Sequence, residues 1–198
     1  MNINNNFVKT KWSIDQENSE VGFIVSHLMI GNVKGSFKTF DARIYTMDKD
    51  FRTAEICFWI STRSITTNNV IRDRHLKSAD FFNVESNQLI TFTSSTIVTS
   101  DSVCNHELWG ELTMMGITRS IKLDVQFDAV LNEPSGNERI GFIVTGKINR
   151  KEWGLSWNKS TDSGELVIDD EVAIRCEVEL TKTGKKESSK QLERSFNE

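Results

Sequence analysis

Near the end of the chain the apolar residues recur at every second position: Val172, Ile174, Cys176, Val178 and Leu180 alternate with Ala173, Arg175, Glu177 and Glu179. A period of two belongs to a strand with one face in a core and the other in water, and a helix cannot satisfy it. The rhythm returns throughout. Val21, Phe23, Val25 and His27 share a face, and Val33 to Phe37 continue the pattern after a Gly31-Asn32 turn. Ala54, Ile56, Phe58 and Ile60 alternate with Glu55, Cys57, Trp59 and Ser61, and Ile90, Phe92 and Ser94 follow. Leu108 to Met114 lead through Met115-Gly116-Ile117-Thr118, read as a turn, into Ile121, Leu123, Val125 and Phe127; Phe142 to Ile148 form another strand. Strands with one clean apolar face pack as an antiparallel sandwich or barrel, because a parallel sheet needs crossover helices between its strands.

One segment breaks the pattern. Thr67 to Phe82 reads as a single helix capped by Thr67, Asn68 or Asn69, with Val70, Leu76 and Phe81 turned inward. A helix inserted in a β chain suits the mouth of a barrel. Trp153 to Asp162 has no sustained period and reads as a loop carrying two Trp. From Lys182 onward the strand rhythm is lost and the chain becomes charged and polar, which reads as a mobile tail or a weak amphipathic helix.

Composition narrows the function. With 24 basic against 28 acidic residues the formal charge is -4, which offers no electrostatic footprint for nucleic acid or for an anionic bilayer surface. No stretch approaches the roughly 18 apolar residues of a spanning helix, so no stable membrane insertion is expected. The opening run MNINNNFVKTK lacks the apolar core of a secretory signal, which points to a cytoplasmic location. Cys57, Cys104 and Cys176 are isolated and odd in number, and His27, His75 and His106 have no metal-ligand spacing. Neither disulfide nor metal is expected, and the cysteines read as buried or edge thiols.

No nucleophile or phosphate-binding fingerprint appears. Asp73 and His75 are two apart, a poor dyad on one helix, and His106, in a polar run, is expected in solvent. His27 ends an apolar strand face, where it reads either as a satisfied interior imidazole or as a polar group fixing the head of a ligand in an apolar cavity. Arg72-Asp73-Arg74-His75 reads either as a solvated helix face or as a polar rim. Twelve Phe against one Tyr leave much aromatic surface to bury. Phe23, Phe37, Phe40, Phe58, Phe81, Phe82, Phe92, Phe127 and Phe142 fill a solid core or line a hollow one, and an eight-stranded barrel can be either.

Several ordered motifs resemble the YceI-like family. Trp12-Ser13-Ile14-Asp15, Ser19 to Leu28 and Val33 to Phe40 are similar to its opening, and Arg72-Asp73-Arg74-His75-Leu76-Lys77-Ser78-Ala79-Asp80-Phe81-Phe82 to its most distinctive stretch. Gly110-Glu111-Leu112-Thr113, Ile148-Asn149-Arg150 with Trp153-Gly154-Leu155, and Asp169 to Val172 complete the series. Asn18-Ser19, where the family often has His-Ser, and Trp153, where Phe is usual, depart from it. The resemblance implies an all-β fold, an extended antiparallel lipocalin-like barrel with one helical insertion, as a single domain over residues 12–181 with an N-terminal extension at 1–11 and a charged tail at 182–198. It also implies a long amphiphilic isoprenoid, such as a quinone precursor or polyprenyl lipid, held in the barrel for storage or transport. The expected walls are Phe23, Val25, Phe37, Phe40, Phe58, Ile60, Phe81, Phe82, Phe92, Leu112, Leu123, Phe127, Phe142 and Trp157. The expected polar end is His27, Arg72, Asp73 and His75. No cofactor is expected apart from such a lipid, and a homodimer is left open. The alternative is an enzyme acting on the lipid through those four polar residues.

Overall fold

The computed structural model describes residues 8–28, 31–99, 105–132, 138–162 and 164–182. Its strands are β1 (Lys9–Ile14), β2 (Glu20–His27), β3 (Gly31–Phe37), β4 (Phe40–Met47), β5 (Asp50–Ser61), β6 (Ile65–Thr66), β7 (Leu89–Thr99), β8 (Asn105–Met114), β9 (Ile117–Asn132), β10 (Glu138–Asn149) and β11 (Ile168–Lys182). Helix α1 (Val70–Lys77) lies between β6 and β7. The sheet runs β1-β4-β5-β7-β8-β9-β10-β11-β2-β3-β6, antiparallel at every pairing, and a further β1–β11 pairing closes it. Of the sandwich and the barrel that the alternation allowed, the fold is the all-β barrel with one helix that the family resemblance implied.

Eight staves make the closed barrel. β1 and β2 lie end to end along β11, with Ile14 opposite Leu180 and Val21 opposite Cys176. At their joint Asp15 N donates to Glu179 O at 2.8 Å, and Ser19 Oγ accepts from Glu179 N at 2.9 Å. Arg139 reaches from β10 to Asp15 Oδ2 at 2.7 Å and also bonds Glu179. β3 and β4 lie end to end in the same way along β2 and β1. The far edge of β3 pairs only at Ser36 and Phe37, with β6. Among the described residues, Gly31 to Gly35 therefore have no strand on that side, and the chain leaving β6 enters α1.

Bulges reset the alternation. β7 shifts register between Ser94 and Thr96, so Ile90 and Phe92 face the interior before the bulge and Ile97 after it. Ser94 Oγ accepts from Ile56 N at 2.8 Å, so this strand amide keeps a partner beside the irregularity. The Met115-Gly116 turn has both residues at positive φ, 53° and 73°, the twist a two-residue hairpin requires. At Gly35 an added methyl would overlap the Phe23 ring lying across it from β2, so only hydrogen fits there.

The helix is shorter than the expected Thr67 to Phe82. Asn69 caps it by accepting from Arg72 N at 3.0 Å. Ser78 stops it, its hydroxyl donating to His75 O at 2.8 Å. Phe81 and Phe82 are buried, as expected, but sit in the turns that follow. The inward expectation for Val70 is corrected: it is 76% exposed. Arg72, His75 and Leu76 share the inward face at spacings of three and four, and Val70 falls outside that stripe.

Candidate ligand cavity

The barrel is hollow, with an interior of about 630 Å³, well within the size of small-molecule sites. Phe58 on β5 stands opposite Phe92 on β7, and Phe92 opposite Leu112 on β8, so a belt of large apolar groups crosses three staves at mid-height. Toward the β4–β5 turn the bore is narrowed by edge-on and tilted rings. Phe51 lies 4.9 Å from Phe142 and 5.7 Å from Phe127, and Phe127 lies 4.7 Å from Phe142. Trp12, fully buried, supports Phe51 from behind at 5.0 Å and donates its Nε1–H to Thr46 Oγ1 at 2.9 Å. Offset and edge-on pairs of this kind hold one another in place beyond their area of contact.

The other end is where the cavity opens. Among the described residues on its wall, only Asn69 and Ile71 are exposed, and they flank the start of α1. Beneath the helix, His75 meets Trp157 at 4.5 Å and Phe81 at 5.0 Å, both edge-on. Trp157 is held by a buried cation. Arg150, 4% exposed, donates from Nε to Asp169 O at 2.9 Å and from Nη1 to Trp157 O at 2.9 Å and to Leu155 O. Burial pulls the pKa of this guanidinium below its usual value, against the attraction of Asp170 and Asp169. Arg150 fastens the Trp-bearing loop to β11, and Trp153 Nε1 fastens the same loop to Leu112 O at 3.1 Å.

The cavity wall includes every residue expected there except Phe40 and Asp73. Phe40 is buried one layer back, stacked on Phe58 at 6.1 Å. Asp73 is turned to the segment ahead of the helix: Oδ1 accepts from Thr67 N at 2.7 Å and Thr67 Oγ1 at 2.5 Å, and Oδ2 from Thr66 Oγ1 at 2.8 Å. Burial raises its pKa, but these bonds outweigh it and hold the carboxyl below the ordinary aspartate range. Arg72 reaches Thr67 as well, Nε to Oγ1 at 2.7 Å and Nη2 to the carbonyl at 3.1 Å, and it lines the mouth together with His27 and His75.

Among the wall residues not foreseen as such are His106, Phe51 and Ile97. His106 was expected in solvent; it stands on β8, its ring 5.5 Å from Phe127 and its Nδ1 buried without a hydrogen-bond partner. Its place opposite Val125 on the β9 face is the signal that the polar run around it hid. Phe51 stands at the start of β5, which directly follows the Asp48-Lys49 turn, and Ile97 lies beyond the β7 bulge. Cys176 faces the cavity, and burial pushes its thiol up to about 11. Cys57 is exposed, and Cys104 lies outside the described residues. No group of metal-ligating side chains is assembled among the described residues.

The YceI-like domain family model matches residues 12–180. This chain belongs to the YceI-like family. A UPF0312 protein of Staphylococcus aureus (strain USA300) is 35% identical over 173 residues, covering 87% of this chain and 98% of the relative. The Campylobacter jejuni YceI protein has the same fold with a TM-score of 0.69 and 30% identity, covering 80% of this chain and 90% of that one. A polyisoprenoid-binding domain from Saccharophagus degradans, implicated in plant cell wall breakdown, shares the fold at a TM-score of 0.63 and 15% identity, over 88% of this chain and 99% of that one. The YceI-like barrel of this chain thus combines a closed wall, a ring-packed far end and a single side of exposed lining at α1.

Proposed function

We propose that this chain is a lipid-binding protein that holds a long amphiphilic isoprenoid, of quinone-precursor or polyprenyl type, in its barrel for storage or transport. One observation carries the reading: a cavity of about 630 Å³ walled by aromatic and aliphatic side chains, with Arg72, His27 and His75 gathered where it opens. Burying a prenyl chain there gains roughly 0.8 kcal/mol per CH₂, which supplies affinity without any reactive group. The head oxygen would sit among the mouth donors, since an unsatisfied buried oxygen costs about 1–3 kcal/mol. The likeness to a polyisoprenoid-binding domain agrees with this.

The enzyme alternative fares less well on geometry. Asp73 is committed to Thr66 and Thr67, and His75 Nε2 lies 2.9 Å from Asp80 Oδ2. The two groups are thus occupied separately, not arranged as an acid–base pair. The test is to extract the purified protein with organic solvent and weigh what is released. Unmodified prenyl lipid near one equivalent supports carriage; a mixture of related substrate and product supports turnover instead.

A further inference from the structure

Large apolar side chains scattered singly over a surface need no explanation, but two of them stand side by side in the first turn of α1. Val70 and Ile71, 76% and 81% exposed, are the most exposed large hydrophobics among the described residues, and Ile71 is itself on the lip of the cavity. Leu28, 55% exposed, and Leu166, 49% exposed, stand beside two further lip residues: His27 pairs with Ile168, and Leu28 N donates to Val167 O at 2.9 Å. α1 carries Arg72, Arg74 and Lys77 against a single acid, Asp73, which is occupied by Thr66 and Thr67. Around it Asp80 is paired with His75, and Asp162 and Glu165 lie on the loop that carries Leu166. The helix therefore carries net positive charge next to the apolar residues of its first turn, although the chain as a whole is negative.

We propose that this rim, led by Val70 and Ile71, docks onto an anionic phospholipid bilayer, so that ligand passes between membrane and cavity through the gap beside α1. The proposal rests on the lipid-carrier reading above and adds the surface from which that lipid is taken. A prenyl chain leaving the cavity anywhere else crosses water at the full hydrophobic cost, whereas a short helix with an apolar first turn and basic neighbours settles at a headgroup boundary. The contact is shallow: no described helix is long and apolar enough to cross a membrane.

The test uses the full chain, vesicles and a fluorescent probe. Vesicles of about three parts phosphatidylcholine to one part phosphatidylglycerol are compared with pure phosphatidylcholine by flotation. NBD-labelled farnesol reports the cavity separately. Val70→Asp adds a carboxylate at the first turn, where the helix dipole favours it, and Val70 is not on the cavity wall; Arg74→Glu reverses an exposed charge. The wild-type chain is expected to float with the anionic vesicles and far less with the neutral ones. Each variant is expected to lose about tenfold in vesicle partitioning while keeping probe affinity within about twofold. Flotation of Val70→Asp equal to wild type overturns the proposal, as does a wild-type chain that floats with neither vesicle. A dimer broken by Val70→Asp without any vesicle binding overturns it too, assigning the rim to a second copy. If the vesicle results hold but the probe never binds, docking stands and the lipid-carrier reading falls.

Discussion

Arg72 is the residue on which the polar end of the proposed ligand turns. Its two bonds to Thr67 leave guanidinium donors at the mouth, and among the described residues no carboxylate lies within ion-pair reach of it. Replacing it with Met keeps most of the stem and removes the donors. Arg72→Met should weaken binding of a prenyl alcohol or quinone about tenfold, the worth of one hydrogen bond to a charged group, and spare a hydrocarbon of equal length; competition against NBD-farnesol measures both. A lower melting temperature with equal loss for both ligands would make Arg72 a structural tie. Cys176 offers a second check at this scale, on the dryness of the cavity. A thiol pushed up to about 11 by burial is almost entirely protonated at about pH 8. Iodoacetamide should therefore label exposed Cys57 and leave Cys176 unmodified until the protein is unfolded, as read by peptide mass. Labelling of both at one rate would mean that water floods the bore.

At the scale of elements, Asp73 ties α1 to the segment after β6, and its titration has a definite sign. Its folded pKa lies below the ordinary carboxylate value, so its contribution is fully present above the unfolded value of about 3.9. It is lost as pH falls through the folded one. Asp73→Asn should lower the melting temperature at neutral pH and flatten the decline on the acid side; an unchanged slope would assign that decline to Asp15, Asp50 and Glu138, whose pKa values are also lowered. The same element shows where sequence reading stops. Alternation placed Phe58, Phe92, Leu112 and Leu123 on the wall because each lies in an unbroken run of period two. It missed Ile97 because a bulge reverses which face is inward, and that reversal depends on the partner strand. The helix was overextended because Phe81 and Phe82 continue an apolar spacing, while the stop comes from one hydroxyl, Ser78, returning to His75 O. His106 was lost to its polar neighbours, although it shares the parity of Leu108, Leu112 and Met114 on the inward face of β8. The end-to-end joints of β1 with β2 and β3 with β4 were invisible because strand partnership across 160 residues leaves no periodic trace.

For the whole molecule, the barrel is closed by short segments around an interior that is not filled by its own side chains. β1, six residues long, bonds β4 on one side and β11 on the other. An unfilled bore lacks the dispersion contacts a solid core would supply, so the empty protein should be less stable than the loaded one. A ligand present at about 100 times its dissociation constant adds roughly 2.7 kcal/mol, and for a chain of this size each kcal/mol moves the melting temperature by about 2–4 °C. Stripping bound lipid should therefore lower the melting temperature by about 5–10 °C, and adding farnesol back should restore it. Phe92→Asp places a carboxylate in the mid-height belt, where it is too costly to remain charged and unpaired; this variant should melt at one temperature with or without lipid and bind no NBD-farnesol. A Phe92→Asp protein that folds, binds the probe and gains stability on reloading would mean that the ligand does not pass this belt, and would confine it to the space beneath α1.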